Sequence, residues 1–94
     1  MNLEQVIEQY LASSGRERKE LLKRVLAGDP CLEQATRLAP TLRDPSPRVS
    51  ARITALLARH QLREVFEKQL VGLKPGKQAL LRRHFDKIAG PDPA

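Results

Sequence analysis

The sequence predicts an all-α protein of three antiparallel helix hairpins, six helices in all. Three observations lead there. Apolar residues recur at helical spacing in six separate segments, and glycine or proline interrupts the chain between them. Nowhere do Val, Ile, Thr and aromatic residues alternate with polar ones over the length of a strand. Aromatic residues make up only 3% of the 94 residues and Trp is absent, so Leu and Ala must fill the core, as helices allow. A chain of this length is one domain, expected over residues 1–90, with a flexible tail at 91–94.

The first helix is predicted from about Leu3 to Ser13, where Leu3, Val6, Ile7, Tyr10 and Leu11 form one apolar stripe. Ser14-Gly15 breaks it. Ser14 with Glu17 has the pattern of a capping box, opening a second helix to about Ala27 with Leu21, Leu22, Val25 and Leu26 inward. Gly28 is expected to end that helix in the left-handed conformation that glycine adopts without steric penalty. Asp29 and Pro30 read as cap and first-turn proline of a third helix carrying Leu32, Ala35, Leu38, Ala39 and Leu42. Pro40 lies inside that helix and removes a hydrogen bond, which predicts a bend around Thr36 to Ala39. In Asp44-Pro45-Ser46-Pro47, Ser46 is the expected cap and Pro47 the first residue of a fourth helix running to about His60. A fifth spans about Leu62 to Val71, with Leu62, Val65, Phe66 and Leu70 inward. Gly72 and Lys74-Pro75-Gly76 turn the chain into the sixth, which carries Leu80, Leu81, Phe85 and Ile88 before Gly90-Pro91 stops it.

Three hairpins with a period of about 30 residues match a helical solenoid, for which about three repeats are the least that stack stably. An irregular helical bundle uses the same short loops. Residues 35–60 resemble a HEAT-repeat hairpin, through the proline of the first helix (Pro40), the Asp-Pro turn (Asp44-Pro45), and the Val and basic residue that open the second helix (Val49, Arg52). The resemblance implies a short right-handed solenoid in which second helices line a concave face, and it implies no particular chemistry.

The fourth helix reads independently as a central one. At about 100° per residue, Val49, Ile53, Leu56 and Leu57 share one sector, and Ala51, Ala55 and Ala58 occupy another. Two apolar sides predict packing between neighbours. Arg48, Arg52 and Arg59 fall within about 40° of one another between those sectors, an exposed arginine row.

The net charge of +6 makes an acidic partner the natural counterpart, and the second helix of each hairpin carries the positive charge. Arg16, Arg18, Lys19, Lys23 and Arg24 outnumber Glu17 and Glu20 on the second helix. Arg48, Arg52 and Arg59 stand unopposed on the fourth, and Lys74, Lys77, Arg82, Arg83 and Lys87 outnumber Asp86 on the sixth. Together the first, third and fifth helices and the turns are acidic. The candidate binding residues are accordingly Lys19, Lys23, Arg48, Arg52, Arg59, Lys77, Arg83 and Lys87, expected to dock an acidic protein segment. The alternative partner is nucleic acid bound without regard to sequence, because Tyr10, Phe66 and Phe85 sit on core stripes and cannot stack on bases. A helix-turn-helix at residues 62–89 is a narrower version, sending Lys77, Gln78, Arg82 and Arg83 into a major groove. The competing account of all these charges is simple solvation of helix surfaces. Self-association through Leu81, Phe85 and Ile88 of the last helix is a third expectation.

Catalytic patterns are missing from the sequence. His60 and His84 share no ligand spacing with Cys31, and Lys74-Pro75-Gly76-Lys77 lacks the glycine spacing of a phosphate loop. A non-enzymatic protein without cofactor or metal is expected. A single cysteine excludes an internal disulfide and fits a reducing compartment. No apolar run reaches the roughly 20 residues of a membrane span, and the first residues lack a secretory pattern, so a cytoplasmic location is expected.

Overall fold

The computed structural model describes residues 2–90, so the predicted tail at 91–94 lies outside the described residues. Six α-helices follow one another: α1 (Leu3–Ala12), α2 (Gly15–Ala27), α3 (Leu32–Leu38), α4 (Pro47–Arg59), α5 (Arg63–Leu70) and α6 (Pro75–Ala89). A 3-10 segment, Ala39–Arg43, continues α3, and no strand occurs among the described residues.

Several local expectations need correction. Ser14 makes no side-chain cap, because Gly15 opens α2 at a φ of 57°, a left-handed start that takes the hydroxyl away from the first-turn amides. The capping box sits instead on α1, where Gln5 N donates to Asn2 Oδ1 (2.9 Å) and Asn2 N donates to Gln5 Oε1 (3.1 Å). Gly28 is not the left-handed residue. It stays right-handed, and Asp29 takes φ 53°, a conformation an Asp side chain tolerates. What glycine provides at 28 is room, since a Cβ there would come within 2.7 Å of Leu3 Cδ1. Asp29 therefore caps nothing, and Cys31 holds the cap position of α3. Pro40 ends α3 rather than bending it: the chain tightens into the 3-10 segment, where the missing amide costs least.

The core runs through all elements. Val6, Ile7 and Tyr10 of α1, Leu22 and Val25 of α2, Leu38 and Leu42, then Phe66 of α5 and Phe85 of α6 are buried together. Their centre is α4, which packs against α2, α3, α5, α6 and the 3-10 segment. Val49, Ile53, Leu56 and Leu57 are fully buried, each contributing about 2 kcal/mol. Ala58 is also buried, Ala51 and Ala55 are partly so, and Ser50 and Thr54 join them, so the two expected apolar sectors form one continuous arc. Phe66 and Phe85 stack with ring centroids 4.5 Å apart, adding about 1 kcal/mol beyond area burial. Leu32, Leu80 and Ile88, expected inward, face outward. Leu81 and Phe85 are buried, so of the three residues expected to mediate self-association only Ile88 is exposed.

Polar contacts fix the helix directions. Arg18, early in α2, pairs with Asp44 ahead of α4 (3.0 Å), and Lys77, early in α6, donates to the Asp44 carbonyl (3.3 Å). The beginnings of α2, α4 and α6 thus converge on one residue. At the far end His60 Nε2 lies 2.9 Å from the Pro30 carbonyl, and Arg63 reaches both Asp86 (2.7 Å) and the Gly90 carbonyl (3.1 Å).

Candidate functional site

α4 has one narrow exposed strip. Burial of the arc from Leu56 round to Ala58 leaves outward only the side where Arg48, Arg52 and Arg59 cluster; Arg48 and Arg59 are exposed and Arg52 half-buried. Long Arg stems can lie on helix surface while their guanidinium groups stay in water. None of the three has a carboxylate within 4.0 Å among the described residues, and α4 contains no acid.

The other candidates divide into free and committed groups. Lys19 on α2 and Arg83 and Lys87 on α6 are exposed and make no ion pair among the described residues. On α6 the last two lie about 40° apart, on the side away from Leu81 and Phe85. Lys23 stands 3.6 Å from Glu20 across one turn, an exposed pair worth at most a few tenths of a kcal/mol. Lys77 is turned toward the Asp44 carbonyl. Asp86, the one acid of α6, is held by Arg63, whose guanidinium also lies 4.6 Å over the Phe85 ring.

Three of the four side chains a helix-turn-helix would send to DNA are engaged inside the molecule. Lys77 is one; Gln78 Nε2 donates to the Leu70 carbonyl at the end of α5 and to the Leu73 carbonyl in the turn that follows (both 2.9 Å), and Arg82 makes a multiple hydrogen bond to Glu67. The pairing with Glu67 raises the Arg82 pKa further.

Sequence reasoning missed a second feature. Between the first halves of α4 and α6 lies an open groove of about 570 Å³, lined by Pro45, Pro47, Ser50, Ala51, Gly76, Lys77, Leu80, Leu81 and His84. It is mostly apolar, and Leu80 on its rim is 61% exposed. The available signal was the small residues Ser50, Ala51 and Gly76 facing a large aliphatic. Leu80, expected on the core stripe of the last helix, stands on the groove's rim instead.

Cys31 is exposed beside Leu32 and Glu33. His60, closer to it than the chain order suggests, contacts the carbonyl of the preceding residue, Pro30. Among the described residues no group of three His, Cys, Asp or Glu side chains is arranged to hold a metal ion, and no helix is long and apolar enough to cross a membrane. No family model, curated protein or solved structure matches the chain.

Proposed function

We propose that this chain is a non-enzymatic binding module, a short HEAT-like stack of three hairpins whose second helices, α2, α4 and α6, form a basic wall for an acidic protein segment. The carrying observation is the outward strip of α4: Arg48, Arg52 and Arg59, with no acid on the helix and no carboxylate within 4.0 Å among the described residues. Unpaired cations left side by side repel one another, and an incoming carboxylate removes that repulsion and steers encounter. The convergence of the starts of α2, α4 and α6 on Asp44 supports side-by-side second helices, as a solenoid requires. Lys19, Arg83 and Lys87 extend the row on either side, while Lys23 and Lys77 belong to it only if a partner draws them from Glu20 and Asp44.

An acidic protein is preferred over nucleic acid for a specific reason. The wall contains an apolar groove with an uncovered Leu80, which a phosphate backbone has no group to fill. The internal engagement of Lys77, Gln78 and Arg82 also counts against DNA reading by α6.

Fluorescence anisotropy with a labelled Glu-rich peptide and a labelled random duplex, at low and high salt, tests the proposal. The peptide should bind at low salt, weaken as salt rises, and lose at least about tenfold in affinity when Arg48, Arg52 and Arg59 are all changed to Glu. Binding of the duplex but not the peptide would contradict it.

A further inference from the structure

The groove between α4 and α6 falls within the range of roughly 300–1,000 Å³ over which proteins hold ligand groups. Two of its three polar side chains are committed elsewhere in the molecule, and the third is the half-buried His84. Ser50 is buried and its hydroxyl donates toward the Leu42 (2.7 Å) and Asp44 (3.1 Å) carbonyls. Lys77 is turned to Asp44. Pro45, Pro47, Ala51, Gly76, Leu80 and Leu81 supply the remaining surface apart from His84. Leu80, left in water at 61% exposure, gains from any apolar group that covers it.

Both rims carry an arginine, Arg48 in the first turn of α4 and Arg83 in the third turn of α6. At about 100° per residue, Arg48 stands about 60° outward from Ala51 on one side, and Arg83 about 60° outward from Leu80 on the other. Both are exposed, and neither has a carboxylate within 4.0 Å among the described residues. The acids nearest in sequence are occupied, Asp44 by Arg18 and Asp86 by Arg63. An apolar slot between two free arginines is complementary to one bulky apolar side chain flanked by carboxylates.

We propose that the α4–α6 groove takes a single Leu or Phe side chain of an acidic protein segment, with carboxylates on either side of that anchor meeting Arg48 and Arg83. This rests on the acidic-partner reading above and adds the point of docking and the residue type that must accompany the acids. The apolar anchor sets affinity and register, and the arginines set the encounter rate and exclude basic or neutral segments.

Two Glu-rich peptides separate this inference from the reading beneath it, one with a central Leu and one with Ser in its place. They are titrated against the wild type, Leu80→Ser, and the Arg48→Glu/Arg83→Glu pair. Leu80 and both arginines are exposed, and unchanged circular dichroism verifies that the variants fold. The expected result is that the Leu peptide binds at least about tenfold more tightly than the Ser peptide, that Leu80→Ser abolishes the difference, and that the double charge reversal weakens both. Equal binding of the two peptides overturns the groove inference and leaves the basic wall standing. Failure of both peptides to bind overturns both. Light scattering that finds a dimer broken by Leu80→Ser, with neither peptide bound, assigns the groove to a second copy of the chain and overturns the inference as well.

Discussion

Arg18 and Asp44 form an ion pair at 3.0 Å with side chains only 17% and 13% exposed, joining α2 to the turn that starts α4. Arg18 also lies 5.4 Å over the Tyr10 ring, and Asp44 Oδ1 accepts from Ser46 N (2.9 Å) at the entrance of α4. Removing the carboxylate leaves a mostly buried guanidinium without its counter-charge, and its Nε already lacks a partner. Asp44→Ala should therefore cost about 3 kcal/mol in urea unfolding, and a double-mutant cycle with Arg18→Met should recover a coupling of about 1 kcal/mol or more. A loss below about 1 kcal/mol would place the pair among ordinary surface contacts.

Tyr10 ties the first hairpin to the middle of the chain. Its hydroxyl donates to Thr41 Oγ1 (2.9 Å), which donates to the Leu38 carbonyl (2.7 Å). Tyr10→Phe should cost about 1 kcal/mol at neutral pH. Burial pushes the Tyr10 hydroxyl above its ordinary value of 10.0, against the opposing effects of the Thr41 bond and Arg18. A raised folded-state value means that the neutral form is favoured on folding. That stability is complete below the unfolded value and is lost as pH rises through the folded one. Melting temperature should fall above about pH 10 in the wild type and fall less in Tyr10→Phe.

Thr54 is fully buried in α4 and its hydroxyl has no hydrogen-bond partner among the described residues. An orphaned buried hydroxyl costs more than it returns, and Val keeps the same shape. Thr54→Val should raise stability by about 1 kcal/mol in denaturant titration; destabilisation would mean that the hydroxyl has a partner in solution.

Glu4 accepts from Gln34 (2.8 Å) and from Arg37, tying the start of α1 to α3. The Gln34 bond and then the Arg37 bond hold its carboxyl below the ordinary value of 4.5. A lowered folded-state value gives a contribution present above that ordinary value and lost as pH falls through the folded one. Glu4→Gln should flatten the acid limb of the stability profile slightly and leave neutral-pH stability nearly unchanged, as a pH series of denaturant titrations would show.

Helix number and most of the core were legible because the periodicity of Leu, Val and Ile reports burial directly, and α4 was recognisable as central from its apolar breadth. Detail at helix ends was less so. Whether Gly28 or Asp29 takes the left-handed position depends on the approach of Leu3, a contact across the chain that no local pattern encodes. Pro40 signalled a disturbance, but the 3-10 segment that replaces a bent helix packs against α4 and α5 and buries Leu42, contacts that no local pattern encodes. Leu80 sits at helical spacing from the core stripe yet remains outside it, because the buried face of α6 narrows to Leu81 and Phe85. The arginine strip was readable from angles alone; the groove beside it was not, since it depends on the spacing of two helices.

The most direct check of the basic wall is amide chemical-shift mapping of the isotope-labelled protein during titration with the Leu-containing acidic peptide. The account predicts that perturbed amides concentrate along 48–59 of α4 and 76–87 of α6, with a weaker set around Lys19 of α2. Perturbations centred on α1, α3 and α5 instead would contradict it.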